Sequence, residues 1–296
     1  MSEIRERLIR LHHVDTISRR LIENMLKLDA TLESFFQMSP NELSRTLNLP
    51  HSRAVDMYQC LHDEAKWEVF ENNLKHVHVV TIFDEQYPAS LRNISDRPFV
   101  LYGLGDIALL HKKPSISVVG TRNPSPMGPK KLHFVVSPLV HLGWTIVSGL
   151  AYGIDRYAHE LALKYNGTTI AVLGSGFQHI YPKGHISLCN EIARRGLVIS
   201  EYPPHVKPRK HHFPERNRII SGLSDATLVI EAKEKSGTYI TVDHALEQGK
   251  DVYAVPGSIL CPQTKGCHKI IQEGAKLVTS ATDILEDFYV WNKERW

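Results

Sequence analysis

Glycine is placed one-sidedly in this chain of 296 residues: all eighteen lie between Gly103 and Gly274. Glycine is the residue that tight turns and close backbone approaches call for. The first hundred residues are therefore confined to structures that do without such turns. Their apolar spacing is helical, through Leu8 and Leu11, then Ile17, Leu21, Ile22, Met25 and Leu28, then Leu32, Phe35 and Phe36. Ser39-Pro40-Asn41-Glu42 and Pro50-His51-Ser52 read as helix starts, with proline near a first turn that needs no N–H from it. The pattern predicts a small all-α domain over residues 1–75, of four or five short helices.

From His76 the period changes. Val77, Val79 and Thr81 alternate with His76, His78 and Val80, as in a strand, and Tyr87-Pro88 opens a turn. Residues 76–114 are expected to link the helical part to the next domain and extend its sheet. Beyond Pro114, short apolar runs alternate with helical patterns. Strands are predicted at Ser115–Val119, Thr145–Val147, Thr169–Leu173, Leu197–Ser200, Thr227–Ile230 and Asp251–Val255. Helices are predicted at Lys130–Leu142, Ile154–Tyr165, Ile186–Arg194, near Arg216–Leu223, at Tyr239–Gln248 and from His268. This alternation implies an α/β fold, a doubly wound and mostly parallel sheet covered on both faces, over residues 115–281. Residues 282–296 read as a C-terminal tail.

Composition narrows the function. Net charge is only +3, from 35 Lys and Arg against 32 Asp and Glu, so any binding of an acidic polymer must come from charge placement. Four cysteines make no disulfide framework and suit a reducing, cytoplasmic compartment. Met1–Leu11 carries Glu3, Arg5, Glu6, Arg7 and Arg10 with no apolar stretch behind it, unlike a secretion signal. Phe134–Ile154 lacks Asp, Glu, Lys and Arg, but Pro138, Gly143, Gly149 and Gly153 punctuate it as a buried helix–turn–strand–turn. No membrane insertion is expected.

Ligands of open α/β sheets sit outside the carboxyl ends of the strands, and there the loops are rich in Gly, Ser and Thr. Gly120-Thr121-Arg122, followed by Ser125 and Gly128, offers a close backbone approach and a guanidinium fork for an anion. It equally fits a simple turn, and it is neither a Walker A nor a G-x-G-x-x-G motif, so neither ATP nor NAD is indicated. Asp155 and His159 lie four apart on one helix face; a capping and packing role fits them better than acid–base work. Gly174-Ser175-Gly176 is weak evidence by itself. Ser236-Gly237-Thr238 enters a helix, where it either caps the end or seats an anion. The segment His205–Arg218 is the most informative. It holds Lys207, Arg209, Lys210, Arg216 and Arg218, one acid (Glu215), three histidines, and Phe213 between its two basic clusters. Cations spaced around an aromatic ring match single-stranded nucleic acid, in which phosphates need charge and bases need a flat face. The segment sums to +4, so the other 282 residues sum to −1. Cys261 and Cys267-His268 stand without a paired C-x-x-C, so no metal is expected. No catalytic constellation can be assembled, and no cofactor is indicated.

Taken in order, these motifs resemble the bacterial DNA-processing protein A family (DprA, or Smf), from about Tyr87-Pro88 to Gly274-Ala275. The landmarks are Val119-Gly120-Thr121-Arg122 and Ser148-Gly149-Leu150-Ala151 with Gly153-Ile154-Asp155. Gly174, Gly176, Tyr181-Pro182, Ser200-Glu201 and Phe213-Pro214-Glu215-Arg216-Asn217-Arg218 follow. Glu231-Ala232, Ser236-Gly237-Thr238, Val255-Pro256-Gly257 and Glu273-Gly274-Ala275 complete the set. The resemblance implies an extended Rossmann-like domain preceded by a SAM-like helical one. It implies sequence-independent binding of single-stranded DNA, protection of incoming strands in natural transformation, and loading of the RecA recombinase onto DNA covered by single-strand-binding protein. A homodimer and a non-enzymatic role are implied too. On the matching positions Arg122 would grip phosphate, with Gly120, Thr121, Ser236, Gly237 and Thr238 lining the pocket. Lys210 and Phe213 would hold backbone and base, Arg216 and Arg218 would support phosphate binding, and Asn217 would fix the loop or contact DNA.

Departures from the family pattern are His185 after Tyr181-Pro182 and His268 after the late glycine, where the family often has Asn. The chain also ends soon after the Rossmann part, so the winged-helix extension of some members is not expected. Residues 1–75 carry ten basic and twelve acidic residues, and with no glycine they lack a helix-hairpin-helix DNA turn; an interaction or regulatory role is expected there. The rival reading is a phosphoribohydrolase-like enzyme of the related Rossmann superfamily. It is disfavoured because Glu231-Ala232 and Ser236-Gly237-Thr238 stand where that group carries Pro-Gly-Gly-x-Gly-Thr.

Overall fold

A computed structural model of the chain describes residues 3–14 and 17–293. Among the described residues of the first 75, six helices form, more than the periodicity predicted: α1 (Glu3–His13), α2 (Arg19–Leu28), α3 (Ser34–Gln37), α4 (Pro40–Thr46), α5 (His51–His62) and α6 (Glu64–Leu74). Ser39 caps α4 in a reciprocal capping box with Glu42, with Pro40 in the first turn. Leu8, Leu11, Ile22, Met25, Phe35, Leu43 and Met57 form the core of this bundle.

The bundle does not stand apart. Its core continues into Phe99, Val100 and Tyr102. Arg5 Nε donates to both carboxylate oxygens of Asp84 at 3.0 Å, and His12 Nδ1 lies 3.1 Å from the Tyr102 hydroxyl. The boundary legible as a composition shift is thus a shared core in space.

Nine strands form one sheet: β1 (His78–Thr81), β2 (Val100–Gly105), β3 (Ser115–Val119), β4 (Thr145–Ser148), β5 (Thr169–Leu173), β6 (Leu197–Ser200), β7 (Ala226–Val229), β8 (Asp251–Ala254) and β9 (Lys276–Leu277). Their order is β1-β2-β6-β5-β4-β3-β7-β8-β9. Among the described residues only the β1–β2 and β2–β6 pairings are antiparallel. The remaining helices are α7 (Ala89–Arg92), α8 (Gly128–His141), α9 (Ile154–Lys164), α10 (Ile186–Arg195), α11 (His212–Leu223), α12 (Thr238–Glu247), α13 (Lys265–Gln272) and α14 (Ala281–Lys293). Two cores flank the parallel strands, one around Val147, Val172, Ile199 and Ile219, the other around Ile116, Val136, Trp144 and Ile146. The expected Rossmann-like α/β architecture is present. Among the described residues no helix is long and apolar enough to cross a membrane.

Two boundaries move. The basic segment is half helix, because α11 starts at His212; Pro214 falls in its first turn, where a missing N–H leaves no bond unmade. Residues expected as a tail instead form α14, which buries Ile284 and sets Phe288 against Trp144 at 4.7 Å between ring centroids. Apolar spacing through Ile284, Leu285 and Phe288 carries that helix onto the sheet. Ile284→Ala should therefore lower unfolding stability by about 2–5 kcal/mol in urea titration. An unchanged midpoint would show that α14 is peripheral.

Candidate nucleic-acid interface

Strand order reverses at β3, with β4 on one side and β7 on the other. That is the switch point at which open α/β sheets bind ligands, and a cleft of about 650 Å³ opens there. Its walls come from loops that brace each other.

The loop after β3 is fixed by Glu231, at the end of β7. This carboxylate is fully buried and accepts from Ser125 N at 2.8 Å, Ser125 Oγ at 2.7 Å and Lys131 Nζ at 3.1 Å. The Glu231 backbone carbonyl accepts from Thr121 N at 2.7 Å. A side chain at Gly120 would place Cβ 2.8 Å from that carbonyl oxygen, so only glycine permits the approach. Arg122 is left exposed at the rim, lining the cleft.

The loop after β4 locks onto the first. Gly153 has φ +76°, and a Cβ there would sit 2.3 Å from the Thr121 carbonyl oxygen. Beneath it, Arg216 is 5% exposed and donates to the carbonyls of Gly149, at 2.6 Å, and Val172. Gly149 lacks a side chain because a Cβ would meet the Arg216 guanidinium at 2.6 Å. Burial pushes the Arg216 guanidinium down to about 10, while the nearby Asp155 carboxylate works to raise it, so it stays charged at neutral pH. Burial also raises the Asp155 carboxyl, whose Oδ2 accepts from Gly149 N at 3.1 Å. Asp155 thus belongs to the floor of the cleft, and His159 is fully buried one turn along α9.

The glycines after β5 serve packing. A Cβ at Gly174 would come 3.0 Å from the Phe213 ring, and one at Gly176 would come 2.0 Å from the Pro203 carbonyl oxygen. Phe213 therefore rests on bare backbone, with Tyr181 tilted against it at 5.4 Å between centroids. The start of α12 differs from an ordinary cap. Gly237 is the N-cap, no side chain caps the helix, and the Ser236 hydroxyl is buried without a partner. A helix start without a side-chain cap and a buried hydroxyl without a partner thus stand together at one cleft wall.

Gly120, Thr121, Arg122, Lys210, Phe213, Arg216, Asn217, Ser236, Gly237 and Thr238 all line this one cleft. Asn217 accepts from Arg216 Nε at 3.2 Å. Three expected residues lie elsewhere. Lys207 is exposed outside the cleft, Arg209 faces a second groove, and Arg218 is buried at 4% exposure on Glu201, 2.7 Å from both carboxylate oxygens. The correction for Arg218 has a helical cause: two residues along α11 from Arg216, it points to another side. Lys233 and Tyr181 also line the cleft, although neither was among the expected site residues; Tyr181 stood out only as part of the Tyr181-Pro182 landmark, and Lys233 only as a cation on the β7–α12 loop.

The family model described as DNA recombination-mediator protein A matches residues 78–289. The chain belongs to this family. It is 47% identical over 211 residues to the DNA processing protein DprA of Bacillus subtilis, 71% of each chain. It is 49% identical over 208 residues to DprA of Streptococcus pneumoniae, covering 70% of this chain and 73% of the other. The X-ray structure of the pneumococcal protein superposes with TM-score 0.83 at 38% identity, over 94% of this chain and 96% of that one. A Helicobacter pylori DNA processing protein A, whose structure concerns a unique single-stranded DNA binding mode, superposes with TM-score 0.65 at 28% identity. That match covers 72% of this chain and 97% of the Helicobacter chain.

Two outcomes follow. Gly153→Ala forces a side chain into a glycine-only conformation against backbone, and should cost about 2 kcal/mol or more in chemical denaturation. Wild-type stability in that variant would mean the two loops are not interlocked. The second concerns His159, fully buried with Nδ1 2.7 Å from Thr169 Oγ1. Burial, and then the Arg216 charge, push it down from 6.5 to about 3. The unfolded chain then takes up this proton near the higher value and the folded chain only near the lower. Stability is lost as pH falls between them, by about 1.4 kcal/mol per unit for this group. Asp155 acts oppositely, since its raised carboxyl protonates first in the folded state. From about pH 7 to about pH 5, His159→Gln should lose less stability than wild type in urea; equal losses would rule out a buried neutral imidazole.

Proposed function

We propose that the cleft binds single-stranded DNA without sequence preference, and that the protein protects such strands and hands them to a RecA-type recombinase. One observation carries the reading. Arg122, Lys210 and the uncapped start of α12 surround an aromatic face, Phe213, within a single open cleft. Cations and idle amides suit phosphates, and a ring seated on glycine backbone suits a base, worth about 1–3 kcal/mol per stack. No base-edge reader is needed for such binding. The phosphoribohydrolase motif is followed by a catalytic glutamate, whereas Tyr239-Ile240-Thr241 follow Ser236-Gly237-Thr238 here and the first turn of α12 holds no acid.

The Helicobacter relative described for its single-stranded DNA binding mode supports the ligand class. Transfer to recombinase, contact with single-strand-binding protein, cytoplasmic action and a non-enzymatic role accord with family membership. A homodimer accords with it too; Ile259 and Leu260, 76% and 86% exposed, are apolar chains that self-association would cover.

Titration of labelled single strands across a salt series tests the reading. Arg122→Ala and Lys210→Ala should each weaken binding equally on all sequences and flatten the salt slope by about one. Phe213→Ala should lose about 1–3 kcal/mol with the slope unchanged. Wild-type affinity and slope in all three would overturn the assignment, as would release of free base from nucleoside monophosphates.

A further inference from the structure

The basic segment has a second flank. Between the helical bundle and the sheet lies a groove of about 580 Å³, separate from the cleft but sharing Pro214 with it. Adjacent residues of the segment divide between the two hollows: Lys210 and Phe213 face the cleft, while Arg209, His211 and His212 face the groove.

Three helices begin at this groove. Arg19 and Arg20 occupy the first turn of α2, Arg53 that of α5, and His212 that of α11. Neither α2 nor α5 has an acid in its first turn. Helix N-termini carry partial positive charge and ordinarily attract acids, so arginines there stack like charge on like charge. That arrangement is relieved by an anion held between them.

An independent observation points the same way. Arg218, in the groove wall and 4% exposed, uses one terminal nitrogen for both oxygens of Glu201, and its other, Nη1, is buried without an acceptor. The remaining groove carboxylates are engaged as well. Asp96 pairs with Arg19 at 2.6 Å, and Glu215 accepts from the Tyr202 hydroxyl at 2.9 Å. Arg20, from the bundle, and Arg209, from the basic segment, remain exposed. Tyr202 stacks on His212 at 3.9 Å between centroids, giving the groove a flat aromatic wall.

We propose that this groove is a second phosphodiester site, which takes the single strand onward from the cleft and makes the helical bundle part of the DNA-binding surface. The proposal rests on single-stranded DNA occupying the cleft. A strand is favoured over a free phosphate because the two hollows meet along one segment. A strand crossing at Pro214 would keep cations beside its backbone on both flanks.

The test uses the full chain with two oligothymidylates, one of about six nucleotides, near the short end of single-strand site sizes, and one of about thirty, beyond their long end. Arg20→Glu and Arg209→Glu should bind the short strand as wild type does, and the long strand about tenfold more weakly with a flatter salt slope. Arg122→Ala should weaken both lengths. Unchanged long-strand binding in Arg20→Glu and Arg209→Glu, with the Arg122→Ala defect intact, overturns the groove and leaves the cleft reading standing. Equal weakening on both lengths also overturns it, since the charges would then act on the cleft itself. Wild type that binds neither length overturns the cleft reading first. Because a charge reversal can upset folding, photocrosslinking of wild type to a long strand bearing iododeoxyuridine supplies a second measurement. Adducts on Tyr202 or on the start of α2 are expected, and adducts confined to residues of the cleft would refute the groove.

Discussion

The buried carboxylate of Glu231 is the interaction on which the rest of the site depends. A charge taken wholly out of water is expensive unless hydrogen bonds replace its hydration. Here the replacements come from Ser125 and Lys131, both in the β3–α8 region. The same residue's backbone holds Thr121. A side chain at the end of one strand therefore shapes the loop of its neighbour, and Arg122 is presented from that loop. Gly120 and Gly153 have the same purpose in steric form, since each admits backbone where a Cβ would strike it.

A second buried charge supports the floor. Arg216 belongs by sequence to the basic segment, yet it spends its guanidinium on the Gly149 and Val172 carbonyls. It ties α11 to the ends of β4 and β5 rather than reaching outward. Positive charge beneath the cleft still contributes to its field, because a desolvated charge is weakly screened. The basic segment thus performs three tasks along one stretch. Arg216 and Arg218 brace the fold, Lys210 and Phe213 face the cleft, and Arg209 faces the groove beside the helical bundle.

Much of this was legible in the residues. Short β-rich runs alternating with amphipathic stretches predicted the parallel sheet, because period and length report burial directly. Gly120, Arg122, Phe213 and Ser236 were identifiable because strand-end loops are where glycine, hydroxyls and cations gather for a reason. Arg218 was misplaced because a run of charge does not reveal that its second half is helical. Once α11 starts at His212, neighbouring basic residues point in different directions. The helix α14 was missed because the tail's apolar residues gain meaning only beside Trp144.

By itself the sequence determined the class of the fold, the strand-end loops that wall the cleft, and the location of the excess positive charge in residues 205–218. Those are properties of periodicity and composition, which are local. Tertiary structure decided which cations are spent inside the protein and which face solvent, and that the bundle shares a core and a groove with the sheet. The reason is that burial and pairing of a charge depend on residues far away in the chain. Glu231 and Ser125 stand 106 positions apart and meet only when β3 and β7 lie side by side.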